Sequence, residues 1–192
     1  MPRKLAPLLL LLTVPLLCSA YTPRKKSELQ WALKGQPGVV TLVNLHPDPK
    51  RHKLSSVNYL QAGFIPVCTP VTIESLTSRK MVFRVDAGGV EYEYGFHKSM
   101  PGSPQDHLDR IFGDHSRCPE ARIAAMSPVD QQGIQSGQVT AGMSKDAVVI
   151  AIGYPPEHAT ASLELDTWRY WRSRLRTMLV SFQNDLVSKI QE

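Results

Sequence analysis

Every stretch of this chain that can begin a helix meets a glycine stop soon afterwards. Ser103-Pro104, Ser127-Pro128 and Ser144-Lys145 each place a capping hydroxyl before a helix start. In the first two, proline occupies the first helical position, where its missing N–H and fixed φ do no harm. Gly113, Gly133 and Gly153 supply the stops, and Pro155-Pro156 prevents continuation after the third. Asp106 falls three residues after its cap, favourable for the exposed amides, and Met143 with Val148 can staple the third start. Helices this short cannot bury a core among themselves, so the core must include a sheet.

The sheet segments flank the helices. Lys80–Val85 sets Met81, Phe83 and Val85 on one face; Ala87-Gly88-Gly89 turns, and 90–97 alternates, which is a hairpin pattern. Runs at 39–45, 57–60 and 67–73 read as further strands, and the proline-rich 46–53 as a loop. After the helices, 167–172 and 177–183 alternate, Asn184-Asp185 turns, and 186–190 is the last strand. The expected fold is α+β: a small antiparallel β-barrel over 39–98, then short helices packed on a three-stranded antiparallel sheet over 99–192. Residues 21–38 read as a tether or lead-in, with one short amphipathic helix from Ser27 to Leu33.

The first twenty residues read as a cleaved signal peptide. Arg3 and Lys4 precede an uncharged apolar run, Leu5–Leu17, and Cys18-Ser19-Ala20 supplies small residues before a cut at Tyr21. The run is too short for a span, which needs about 20 apolar residues. Bulky Leu16 and Leu17 argue against lipidation of Cys18. Cleavage lowers the net charge from +5 to +3, leaving 20 basic against 17 acidic residues, a mild balance that does not by itself imply nucleic acid. Two cysteines remain, Cys68 and Cys118, and an exported chain allows them to bridge.

Gly142-Met143-Ser144-Lys145-Asp146-Ala147-Val148, then Ile152-Gly153-Tyr154-Pro155, Trp168-x-Tyr170 and Val180-x-Phe182-Gln183-Asn184-Asp185-x-Val187 together resemble the SmpA/OmlA (BamE-like) family of outer-membrane assembly domains. The family usually carries Asp-Gly at the last turn, where this chain has Asn184-Asp185-Leu186. Its anchoring cysteine near the domain has no counterpart here. Residues 39–97 resemble a bacterial Src-homology-3-type barrel through strand spacing alone. The resemblance implies a periplasmic or secreted scaffold, associated with the outer membrane, that binds other envelope proteins and touches anionic phospholipid head groups.

The candidate binding residues are Trp168, Tyr170, Trp171 and Arg172 on the aromatic strand, with Tyr154 and Pro155 in the loop before it. Alternation sends Trp168 and Tyr170 to one face and Trp171 to the other, among Arg169, Arg172, Arg174 and Arg176. Aromatics with arginines suit protein interfaces. Arg51, His52 and Lys53, with Arg24–Lys26, suit lipid head groups. No phosphate loop, Gly-x-Ser-x-Gly or paired-helix metal motif occurs. The expectation is therefore a non-enzymatic protein without cofactor, metal or nucleic-acid partner. Alternatives are an envelope hydrolase using Cys68 or a histidine such as His97, and a lipid- or ligand-binding module. His46, Asp48 and His52, with His107 and His115, are the metal-ligand types available. N-terminal sequencing of the protein recovered from the exported fraction should begin at Tyr21; a start at Met1 or at Cys18 would overturn the cleavage.

Overall fold

Strand β3 (Pro70–Leu76) and strand β4 (Lys80–Val85) bury alternate side chains, and Ile73, Leu76, Met81 and Phe83 form the centre of a sheet. The computed structural model describes residues 29–192, so the signal segment and residues 21–28 lie outside the described residues. The fold is α+β. Six strands run in the order β2-β5-β4-β3-β1-β6, with β1 at Val39–Thr41, β2 at Lys53–Ser55, β5 at Glu91–Gly95 and β6 at Phe112–Asp114.

This sheet departs from the antiparallel barrel expected. Strands β2 and β5 pair in parallel, which makes the sheet mixed, and its terminal strands β2 and β6 do not pair with each other. Lys53–Ser55 forms a strand at the end of the expected loop, because Leu54 registers with buried Tyr94. The run 39–45 leaves the strand after Thr41, where Leu42 and Asn44 turn their amides to Ile111 and Ile150 carbonyls. Residues 57–60 make only an isolated parallel bridge, Tyr59 with Trp171. Strand β6 lies beyond residue 98 and still pairs with β1, so chain from both sides of that expected boundary builds one sheet. The Cys68–Cys118 disulfide ties the same two stretches, with Cα atoms 5.3 Å apart. Closing a loop of 50 residues stabilises by about 4 kcal/mol in the chain-entropy model.

Residues 29–31 carry no regular structure and 32–35 form turns, in place of the expected helix. They are also no loose tether: Trp31 is buried against Phe112 and donates its indole N–H to Asp109 at 2.7 Å.

Four short helices follow: α1 (Pro104–Leu108), α2 (Glu120–Ala124), α3 (Pro128–Ser136) and α4 (Lys145–Ile152). Ser103, Ser127 and Ser144 cap α1, α3 and α4 as expected, and Ser103 with Asp106 completes a capping box. Helix α1 stops before Ile111 and Phe112, which the periodicity had placed on it; pairing with β1 takes Phe112 into a strand. Helix α2 was not expected. Gly133 does not end α3 but lets it pass Met143, since a Cβ there would lie 2.3 Å from the Met143 sulfur. The stop is Gly137, whose φ of 65° is the left-handed cap that glycine favours.

Strands β7 (Thr167–Trp171), β8 (Thr177–Gln183) and β9 (Leu186–Gln191) form the expected antiparallel meander. Asn184 and Asp185 both take positive φ, a tight two-residue turn that these side chains tolerate. Asp185 also holds Lys145 at 2.9 Å, so this turn has a use for an acid where the resembled family has glycine.

Asn44 joins the sheets and helices. Its amide nitrogen donates to the carbonyls of Ile134 (2.7 Å) and Ala151 (3.1 Å), and its side-chain oxygen accepts from Val67 N–H (2.7 Å). All three bonds are buried or nearly so. Replacing Asn44 with alanine strands the Val67 amide and leaves the Ile134 and Ala151 carbonyls with one partner each, Gly137 N–H and His46 Nε2, so urea unfolding of Asn44→Ala should show a loss of about 2 kcal/mol. A loss below about 1 kcal/mol would show that these bonds contribute little net stability.

Candidate functional site

The aromatic strand divides as its alternation requires. Trp168 and Tyr170 are 1% and 0% exposed; Trp168 packs on Phe182 with centroids 4.6 Å apart, and Tyr170 Oη donates to the Gly153 carbonyl at 3.0 Å. These two side chains are core, not surface. Trp171 faces the other way and is half-buried, and its carbonyl accepts Leu60 N–H at 2.8 Å. Arg172 is exposed and pairs with Glu192. Tyr154 is half-buried, and Pro155 is buried. The six candidates therefore do not form one patch.

The contact of Trp171 with the 59–60 segment brings two basic stretches together. The loop 48–53 and the β7–β8 turn line a groove of about 380 Å³, with Arg51 and Lys53 from the loop, Arg172 and Arg174 from the turn, and Tyr59 and Asp48 among its lining. The loop is shaped by Asp48, whose carboxylate accepts the N–H groups of Lys50 (2.9 Å) and Arg51 (3.0 Å). Those two bonds hold the carboxyl below the usual range. Lys53 pairs with Glu93 at 3.2 Å, but Glu93 also pairs with Lys80. Among the described residues, Arg51 and Arg174 make no ion pair. At the tip beside them Leu175 is 94% exposed, held between Arg174 and Arg176.

A second cluster lies where the 154–158 loop meets β5 and α1, around a cavity of about 40 Å³. Arg110 reaches Glu157 at 2.5 Å and stands 5.4 Å over the Tyr154 ring. Its guanidinium also lies 3.5 Å from His107 Nδ1. A guanidinium only donates, so Nδ1 accepts and the proton sits on Nε2, which donates to Tyr94 Oη at 2.9 Å. Burial, reinforced by the Arg110 charge, pushes His107 down to about 4. Burial pushes Tyr94 up. Both rings are therefore neutral near pH 7 and serve as a buried hydrogen-bonded pair. At the cavity mouth His97 Nδ1 lies 2.7 Å from Ser99 Oγ, and His158 Nδ1 lies 3.4 Å from the same oxygen.

No family model, curated protein or solved structure matches this chain. Its site has to be read from its own geometry. Cys68 is bonded to Cys118 and has no thiolate to offer as a nucleophile. His46 is buried with Nε2 3.1 Å from the Ala151 carbonyl, whereas His52 lies against Tyr92 with centroids 5.3 Å apart. His107 faces Tyr94, and His115 is exposed in a short turn. Among the described residues no three of His, Cys, Asp and Glu cluster to hold a metal. Among those residues, too, no helix is long and apolar enough to cross a membrane. The disulfide is the chemistry of an oxidising compartment outside the cytoplasm.

Sequence reading named the basic residues of both walls but not their meeting. Tyr94 entered only as part of the hairpin alternation, and Arg110 was not singled out. Arg110 had one weak signal, its position three residues after His107.

The pH dependence of stability follows from His107. In the folded chain it stays neutral down to about pH 4, whereas an unfolded chain begins to bind the proton near 6.5. Stability is therefore complete above that range and falls as pH drops from 6.5 to 4, by up to about 3 kcal/mol. His46, lowered mainly by burial, acts in the same direction. Thermal unfolding of His107→Gln between pH 7 and 4.5 should show a clearly shallower decline than wild type; parallel curves would refute the assignment.

Proposed function

We propose that this chain is an exported, non-enzymatic binding module of the cell envelope, which holds other envelope proteins through its β7–β8 hairpin and the adjoining 48–61 segment. The observation that carries the reading is the hairpin tip. Arg172, Arg174 and Arg176 surround Leu175, among the described residues the most exposed large apolar side chain, with 94% of its surface open. An apolar side chain at a turn apex contributes nothing to this core. Arginine around an apolar anchor is the composition of protein interfaces. The motif resemblance to SmpA/OmlA domains supports the same reading, and periplasm is the compartment it favours. The disulfide supports export.

A second reading, as a hydrolase, has one observation in its favour: Ser99 between His97 and His158. The geometry favours a turn closure instead. His97 Nδ1 also receives the Ser99 backbone N–H at 3.2 Å, and Met100 N–H bonds the His97 carbonyl at 3.0 Å, so the ring is committed to its own turn.

Affinity purification from envelope extracts tests the proposal. Wild-type protein should recover a reproducible set of envelope proteins, and Leu175→Ser should recover at least several-fold less, with an unchanged unfolding midpoint. Equal recovery would reject the hairpin tip as the docking element.

A further inference from the structure

The groove between the loop 48–53 and the β7–β8 turn is built from segments about 120 positions apart in the chain, and its charge is unbalanced. Its lining carries Arg51, Lys53, Arg172 and Arg174 against Asp48; Glu93, itself shared with Lys80, and Glu192 pair with Lys53 and Arg172 from outside the lining, so counting these partners too leaves a net of +2. The excess is local. Asp48 directs Oδ1 to two backbone N–H groups, and Glu93 is shared between two lysines. Among the described residues, neither Arg51 on one wall nor Arg174 on the other forms an ion pair, although the Arg51 charge acts on nearby Asp48.

We propose that this groove is the seat of an extended acidic segment of a partner protein, with carboxylates set between Arg51 and Arg174. This deepens the proposed function and rests on it for the kind of partner. Guanidinium groups bind carboxylates with two parallel hydrogen bonds, a geometry a lysine cannot copy. Leu54 and Tyr59 also line the groove and offer apolar surface to the methylene stems of glutamate side chains. The volume, about 380 Å³, lies at the small end of ligand sites and suits a few side chains, not a domain. Concavity separates this occupant from a lipid surface. A flat bilayer touches the protruding Leu175 but does not enter a groove, whereas an extended peptide lies along it. The exposed tip next to the groove then serves the same partner as an apolar contact.

The test uses the full mature chain and a fluorescein-labelled peptide of alternating glutamate and serine, read by fluorescence anisotropy at low salt. Wild type should bind it. Arg51→Glu and Arg174→Glu should each weaken binding at least tenfold, and raising salt should weaken it further, because exposed charges are screened. Arg79→Glu changes net charge equally outside the groove and should weaken binding less than threefold. Leu175→Ser should leave this short peptide's affinity unchanged. Thermal unfolding checks that all variants fold.

Equal losses for Arg79→Glu and Arg174→Glu would overturn the proposal in favour of net charge alone, and an absence of peptide binding would overturn it outright. So would binding to vesicles containing phosphatidylglycerol that Leu175→Ser abolishes and excess peptide fails to compete. The two readings fail separately. Partners recovered equally by wild type and Arg174→Glu would remove the groove but keep the binding module, whereas peptide binding without any envelope partner would keep the groove and remove the module's proposed role.

Discussion

Asn44 is the interaction on which the arrangement of this protein depends. It is buried just past the end of β1 and bonds three separate stretches: the C-terminal part of α3, the end of α4 and the segment at Val67. Its own N–H goes to the Ile150 carbonyl at 2.8 Å, so backbone and side chain both cross from sheet to helix. Carbonyls at a buried helix end lack the next turn's N–H groups; here Gly137 N–H and His46 Nε2 each supply one partner and Asn44 a second. An amide side chain satisfies two of them while accepting from a third strand of chain. A hydrophobic residue could fill the space but could not fix the angle. These bonds tie α4 to the segment that leaves β1, and Leu60 N–H on the Trp171 carbonyl ties the meander to the segment after β2.

The surface features follow from this contact. Once α4 ends at Gly153, the Tyr154-Pro155-Pro156 loop lies over α1, where Arg110 clamps it through Glu157 and the Tyr154 ring. Strand β7 then runs back with Trp168 and Tyr170 inward, and at its end Trp171 meets Tyr59. The basic turn after Trp171 is thereby delivered to the basic loop before Tyr59. The groove is a consequence of packing on its far side. Its position is set by buried neutral contacts, and its chemistry by exposed charges that cost the fold little. The pairing of Cys68 with Cys118 ties a different pair of segments, the one just before β3 and the turn before α2.

Much of the local structure was legible in the sequence. The serine caps at 103, 127 and 144 act where the pattern places them, because a cap depends on residues within one turn. The meander was legible for the same reason: period two and the Asn184-Asp185 turn are local. The errors fall where a distant residue decided. Phe112 has helical spacing, yet β1 takes it into a sheet. Gly133 has the appearance of a stop, yet it answers to Met143 ten residues on. Trp31 sits in a polar, basic stretch, yet Phe112 and Asp109 bury it.

The sequence alone determined the α+β class, the capped starts of three helices, the inward faces of the meander and which residues carry charge. These are properties of spacing and side-chain type, and they survive any tertiary arrangement. Only the tertiary structure decided that the large sheet is mixed, that Tyr94, His107 and Arg110 meet, and that Arg51 stands across a groove from Arg174. Contacts between residues far apart in the chain leave no periodic trace along it. They arise from which buried surfaces fit together, and no local pattern contains that information.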